Sequence, residues 1–231
     1  MSSAALSEEV DVSEATELVR LYQETKNRIA GLVSELDESG LGTVVPACPA
    51  WSIREVVAHL AAVAEDWTAG RLTGPPDDDE TAAQVARFAG RGMAEVMAAW
   101  TEAAARLDHQ AATAGLNPPI GDIVSHEQDI RGALGRPGAR DCVALSYSAD
   151  QVLTMLRTPV PLRITVDGVQ YRSGPAEGAV IGLTTTRFEA LRWRTGRRSR
   201  AQLAAMDWSG DPAPLLDHLY LFGPATTDVT E

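Results

Sequence analysis

Cysteine is scarce in this 231-residue chain. Only Cys48 and Cys142 occur, too few for a disulfide scaffold and in keeping with a reducing, cytoplasmic setting. No stretch approaches the ~18 uncharged apolar residues that a membrane span needs. The opening MSSAALSEEVDVSEATE is acidic and lacks the basic start and apolar run of a secretory signal. Lysine is almost missing: Lys26 is the one lysine among 20 basic residues, which face 32 acidic ones. The formal net charge of −12 argues against a general nucleic-acid binder, and the preference for arginine is that of a GC-rich genome. There is no phosphate-cradling glycine loop, no nucleophile elbow and no dinucleotide fingerprint. The run Asp77-Asp78-Asp79-Glu80 lacks the glycine and spacing of a calcium loop and reads as helix N-terminal charge.

What remains is ordinary globular composition, 45% hydrophobic and 23% charged, long enough for one large domain or two small ones. The charge is unevenly placed. Residues 1–160 carry 12 basic and 24 acidic side chains, whereas 161–208 carry 8 arginines and 4 acids. Two physically different segments are joined.

The first segment reads as four helices. Leu18, Leu21, Tyr22, Ile29, Leu32, Val33 and Leu36 recur at helical spacing and predict a helix from about Glu14 to Leu36. Ser52 and Glu55 form a capping box for a second helix, with Trp51 placed to staple onto Val56. A third helix is expected over 80–109, weakened by Gly90 and Gly92. A fourth is expected from the Asn117-Pro118 start to Leu134, before Gly135. Four such helices suggest a four-helix bundle. After Gly135 the period changes to two. Leu162–Tyr171 alternates around Asp167-Gly168 as a hairpin, Val180–Thr185 reads as a strand, and 186–195, 199–206 and 214–221 read as helical. The expected organisation is a tail over 1–13, a bundle over 14–137, a linker and helix over 138–160, a small α+β domain over 161–222 and a tail over 223–231. No clear exposed heptad is present, which favours a monomer.

Chemistry concentrates in a few side chains. His59 shares a helix face with Val56, Leu60, Val63 and Trp67, while Asp122 and His126 are four apart on another helix, with Asp129 three further on. Two histidines and a carboxylate on facing helices are how a bundle builds a metal site with one position left open. From the residues alone, a packed histidine and a local Asp–His hydrogen bond remain the commoner description. In the second segment Arg187, Arg192, Arg194, Arg197, Arg198 and Arg200 cluster, either as a solvated surface or as an anion clamp of guanidinium forks. Cys48 has no histidine near it in sequence, so a catalytic thiol is not expected there. His109 and His218 read as surface residues.

Three stretches carry a resemblance. Cys48-Pro-Ala-Trp-Ser-Ile-Arg-Glu-Val-Val-Ala-His-Leu resembles the C-P-x-W-[ST]-[VI]-x-[DE] segment, with its following helix, of the mycothiol-dependent maleylpyruvate isomerase family. That family belongs to the DinB-like four-helix superfamily of actinobacteria. His126-Glu-Gln-Asp-Ile-Arg-Gly-Ala-Leu-Gly and Thr195-Gly-Arg-Arg-Ser, followed by Asp207-Trp-Ser-Gly-Asp-Pro, are similar to its second and third signatures. The resemblance implies a two-domain fold, a DinB-like bundle followed by a small α+β domain. It also implies a zinc ion, or another divalent metal, held by His59, Asp122 and His126. Mycothiol would bind the metal through its thiol and attack a small electrophilic substrate bearing a carboxylate, giving isomerisation or S-conjugation. Arg197, and after it Arg198, would hold that carboxylate or a developing enolate. No nucleic acid or membrane partner is implied. The family has Glu where this chain has Asp122, one methylene shorter, so the helix would have to come roughly ~1 Å closer or water would bridge. Two alternatives stand beside this reading: a DinB-like metal-dependent hydrolase that uses no thiol, and a noncatalytic binding paralogue with a weakened metal site.

Overall fold

The computed structural model describes residues 3–231, with side chains from residue 12 onward. Of the tail expected over 1–13, residues 1 and 2 lie outside the described residues and the remainder is already helix. The chain divides into two compact units, the first ending at Arg136 and the second running Pro137–Glu231. Among the described residues, no helix is long and apolar enough to cross a membrane.

The first unit is helical. It comprises α1 (Ser3–Ser34), α2 (Glu38–Leu41), a short hairpin of β1 (Val44–Val45) and β2 (Cys48–Ser52), then α3 (Ile53–Thr68), α4 (Asp78–Arg87), α5 (Met93–Ala114) and α6 (Ile120–Ala133). The four long helices close a ring, α1 against α5 and α6, and α3 against the same two. Their apolar stripes meet inside: Leu18, Tyr22 and Ile29 of α1, Val56, Leu60 and Val63 of α3, Val96, Trp100 and Leu107 of α5, and Ile123 and Ile130 of α6 are all buried. Trp100 keeps its indole N–H satisfied by donating to the Tyr22 hydroxyl at 2.8 Å.

Three local expectations change. The helix expected over 80–109 is two helices, because Gly90 takes φ +75°, outside the helical region, and Gly92 becomes the N-cap of α5, its N–H bonded by Glu95 at 2.9 Å. The helix expected from Asn117 starts at Ile120, since a residue that precedes a proline disfavours helical backbone and Pro118 precedes Pro119. The segment before Ser52, expected only to break helix, pairs as an antiparallel hairpin. The Ser52–Glu55 capping box forms as expected.

Two ion-pair clusters orient the helices around the core. Glu127, with no exposed side-chain surface, receives Arg28 Nε and Nη2 of α1 at 2.8 and 2.7 Å and Arg131 Nε at 3.0 Å. A bidentate fork of this kind fixes the rotation of α6 about its own axis. Asp66, near the end of α3, accepts from Arg71 Nε at 2.8 Å, Gln84 Nε2 at 2.9 Å and Arg87 Nη2 at 3.1 Å, which fastens α4 onto α3.

The second unit holds α7 (Val143–Thr154), β3 (Leu162–Val166), β4 (Val169–Ser173), β5 (Ile181–Thr185), α8 (Arg187–Arg194), α9 (Arg200–Ala204), β6 (Asp207–Trp208) and a 3₁₀ turn at Leu216–His218. Its sheet order is β4-β3-β5-β6, with β3 and β5 parallel. Asp167 and Gly168 both take positive φ, 48° and 84°, the two-residue hairpin turn that suits strand twist. Leu162, Ile164 and Val166 point to one face and pack with Leu153, Leu183, Trp193, Leu203 and Leu219.

The segment expected as a tail over 223–231 is fixed to this unit. Ala225 N donates to Arg198 O at 3.1 Å, and Gln202 brackets buried Val229 with bonds of 2.8 and 3.1 Å. Gly196 is required for that path: its φ is +81°, and a Cβ would stand 2.6 Å from Gly223 O.

Burial pushes the Asp66 carboxyl up, but Gln84, Arg71 and Arg87 outweigh it and hold its pKa below the ordinary 3.8. A folded-state pKa that is depressed gives stability present above the unfolded value and lost as pH falls through the folded one. Asp66→Asn is therefore expected to lower the urea midpoint at pH 7, with the gap to wild type closing as the pH falls below the ordinary 3.8 and through the depressed folded-state value; a gap unchanged at acid pH contradicts the role.

Candidate functional site

The capping box starts α3 at Ile53, which places His59 almost two turns in, on the face that looks at α6. The i, i+4 spacing on α6 stacks Asp122 and His126 on one side of that helix. His59 Nε2 and His126 Nε2 each lie 3.5 Å from Asp122 Oδ1, and the ligand atoms of all three fall within 4.8 Å of one another. Two ligands on a tetrahedral ion with bonds near 2.0–2.1 Å stand about 3.3–3.4 Å apart. The two 3.5 Å separations are close to that spacing, so the shorter Asp122 side chain reaches both imidazoles without a further approach of α6.

Both imidazoles are buried, 3% and 4% exposed, whereas the Asp122 side chain keeps 26% of its surface. The trio therefore opens to solvent on the Asp122 side. The β1–β2 hairpin supplies a wall: the Trp51 ring lies 5.0 Å from the His59 ring and 6.0 Å from the His126 ring, centre to centre, and the two imidazoles meet edge to face at 5.1 Å. Behind Asp122, burial raises the Tyr22 hydroxyl pKa well above its usual value and the Asp122 charge adds to that. Tyr22 thus stays a neutral phenol.

Two further residues adjoin the trio. Asp129 Oδ2 lies 2.9 Å from His126 Nδ1, and Cys48 Sγ lies 3.5 Å from the same oxygen. Cys48, His126 and Asp129 form a second group of possible ligands. Yet the 2.9 Å separation is shorter than the spacing of two ligands on one ion, and the oxygen meets Nδ1 obliquely, without a well-aligned hydrogen bond. Sequence reasoning placed Asp129 on the right face and gave it no role; His-x-x-Asp on a helix was the available signal. It read Trp51 as a staple and had no signal for Cys48, because the contact joins residues 81 apart.

The arginines belong to the second unit and are largely occupied there. Arg198 is buried, donates in a fork to Glu189 at 2.8 Å through Nε and Nη2, and also meets Glu231. Arg192 is fully buried and pairs with Glu231. Arg194 donates to the carbonyls of Val152 and Leu219, and burial pushes its pKa down to about 10. Arg187 pairs with Asp150 and Asp167, and Arg200 with Asp217. Arg197 is half-buried and donates through Nη1 to Thr195 O at 2.6 Å. The cluster is therefore mainly an internal ion-pair network. His109 and His218 are exposed, as expected.

Residues 22–144 match the family described as the mycothiol maleylpyruvate isomerase N-terminal domain, a span of more than half the chain. Among solved structures, a crystal structure of the mycothiol-dependent maleylpyruvate isomerase and one of a point mutant of that enzyme share the fold. Each has a TM-score of 0.52 and 13% sequence identity, covering 80% of this chain and 89% of the other. No match is found among curated proteins.

The two neighbouring arginines are expected to separate in a mutational test. Arg198→Ala removes the fork on Glu189 and one of the two arginines at buried Glu231, which Arg192 still holds, and should lower stability by about 2 kcal/mol, whereas Arg197→Ala should stay within about 1 kcal/mol of wild type. Equal losses in chemical denaturation would contradict this division.

Proposed function

From the premise that the chain belongs to the mycothiol maleylpyruvate isomerase N-terminal domain family, we propose that it is a metal-dependent, thiol-using enzyme. It isomerises or S-conjugates a small electrophile that bears a carboxylate. The two compact units act as two domains, a DinB-like bundle that holds the metal and a small α+β domain. The observation that carries this reading is the spacing of His59 Nε2, Asp122 Oδ1 and His126 Nε2, two separations of 3.5 Å that join two buried imidazoles to a partly exposed carboxylate side chain.

These three residues would hold zinc or a similar divalent ion, with two neutral imidazoles and one carboxylate as donors. When bound, the ion supplies a positive charge that keeps the thiol of mycothiol as a thiolate at neutral pH. The chain's residues do the remainder. Asp122 contributes the single negative charge of the ligand set, so the ion keeps a net positive charge toward an incoming thiol. Trp51 covers the two imidazoles and limits water at the pocket wall. The apolar core behind them prevents the ligands from relaxing toward solvent. Arg197 is the residue assigned to the substrate's carboxylate, because Arg198 is committed to Glu189 and Glu231 and Arg197 sits in the Gly-Arg-Arg signature.

The test is metal content and thiol dependence measured together. Protein purified without a histidine tag or chelator is expected to carry close to one zinc per chain. His59→Ala and His126→Ala are expected to lose it while remaining folded. Turnover of an unsaturated keto-acid or a comparable electrophile should require mycothiol. Metal with activity in the absence of any thiol would favour a hydrolase, and no metal after zinc reconstitution would overturn the metalloenzyme reading.

A further inference from the structure

One buried carboxylate beside the trio has no part in the proposed ligand set. The Asp129 side chain has no exposed surface, and burying a carboxylate costs several kcal/mol unless donors meet it. Its Oδ2 faces His126 Nδ1 at 2.9 Å and the Cys48 thiol at 3.5 Å. On the other edge of the same ring, Nε2 faces Asp122 Oδ1 at 3.5 Å. Two carboxylates thus flank one imidazole.

A carboxylate only accepts, and a neutral imidazole has one N–H to give. The separations decide which nitrogen keeps the proton: 2.9 Å is hydrogen-bonding distance, even though the approach to Nδ1 is oblique, whereas 3.5 Å is at the limit. The proton belongs on Nδ1, and Nε2 is left with its lone pair directed at Asp122 and His59. Neither ring makes a well-aligned hydrogen bond through Nδ1, but the His126 Nδ1 has the Asp129 carboxylate against it at 2.9 Å, and among the described residues no ion pair is recorded at the His59 Nδ1.

We propose that Asp129 is a positioning residue of the site: it fixes the tautomer and the ring orientation of His126, with the Cys48 thiol donating to the same carboxylate oxygen. The inference rests on the reading that His126 Nε2 is a ligand. It adds a dependence that the trio alone does not have, because removal of a group that never touches the ion weakens binding. Outer partners of this kind are typically worth 10- to 100-fold in metal affinity.

Two measurements on the full chain test it. Nitrogen NMR of metal-stripped, 15N-histidine-labelled wild type, at a pH where the rings are neutral, should show His126 as the Nδ1–H tautomer. In Asp129→Ala the ring should shift to the Nε2–H form that free imidazole prefers. Zinc affinity, read by competition with a chromophoric chelator, should fall 10- to 100-fold in Asp129→Ala and only a few-fold in Cys48→Ala. A wild-type His126 in the Nε2–H form overturns the proposal, as does Asp129→Ala binding zinc as tightly as wild type. If Asp129→Ala fails to fold, the wild-type tautomer alone decides. An Nδ1–H ring in a chain that binds no zinc would uphold the positioning role and sink the metalloenzyme reading, so the two failures are distinct.

Discussion

The close apposition of α3 and α6 is the constraint on which the site depends. It puts two buried imidazoles within 3.5 Å of one carboxylate oxygen, Asp122 Oδ1, in a bundle where buried polar groups are costly unless matched. The surrounding residues hold that apposition in place. The capping box sets where α3 starts, the Arg28–Glu127 fork sets how α6 is rotated, and the apolar stripes of α1 and α5 close the ring behind them. A one-residue change in the start of α3 would turn His59 by about 100° away from α6. The ion pair at Glu127 matters for the same reason: it lies beside His126 in sequence, so any rotation of α6 that broke it would also move the His126 ring.

Asp122 reaches both imidazoles although it is one methylene shorter than the glutamate that the resemblance leads one to expect. One methylene fewer than glutamate would ordinarily leave a gap, but Oδ1 stands at the same 3.5 Å from both imidazoles. The Asp122 side chain also keeps a quarter of its surface open, although its Oδ2 is buried.

Much of this was legible in the sequence, and the reason is range. Periodicities and caps act over three to four residues, so the capping box of α3, the hairpin turn at Asp167-Gly168 and the His–Asp spacing on α6 could be read directly. The break at Gly90 was read only as a weakness, because glycine lowers helix stability in general and adopts positive φ only where the chain turns. The β1–β2 hairpin, the covering of the imidazoles by Trp51 and the contact of Cys48 with Asp129 depend on tertiary placement, for which one sequence carries no local signal. The arginines were the hardest. Their clustering was visible, but their partners, Glu189 at nine residues and Glu231 at more than thirty, were not. The segment holding Glu231 looked like a tail until Gly196 and Gln202 were seen to fasten it.

The central claim is that His59, Asp122 and His126 hold a metal ion with one position open to a thiol. X-ray absorption at the zinc edge of the reconstituted chain, recorded before and after adding mycothiol, tests it most directly. The account predicts two imidazoles and oxygen donors without sulfur at first, then one sulfur at about 2.3 Å once the thiol is present. A sulfur shell already there before thiol is added would point to Cys48 as a ligand. Together with a spectrum that mycothiol leaves unchanged, it would contradict the account.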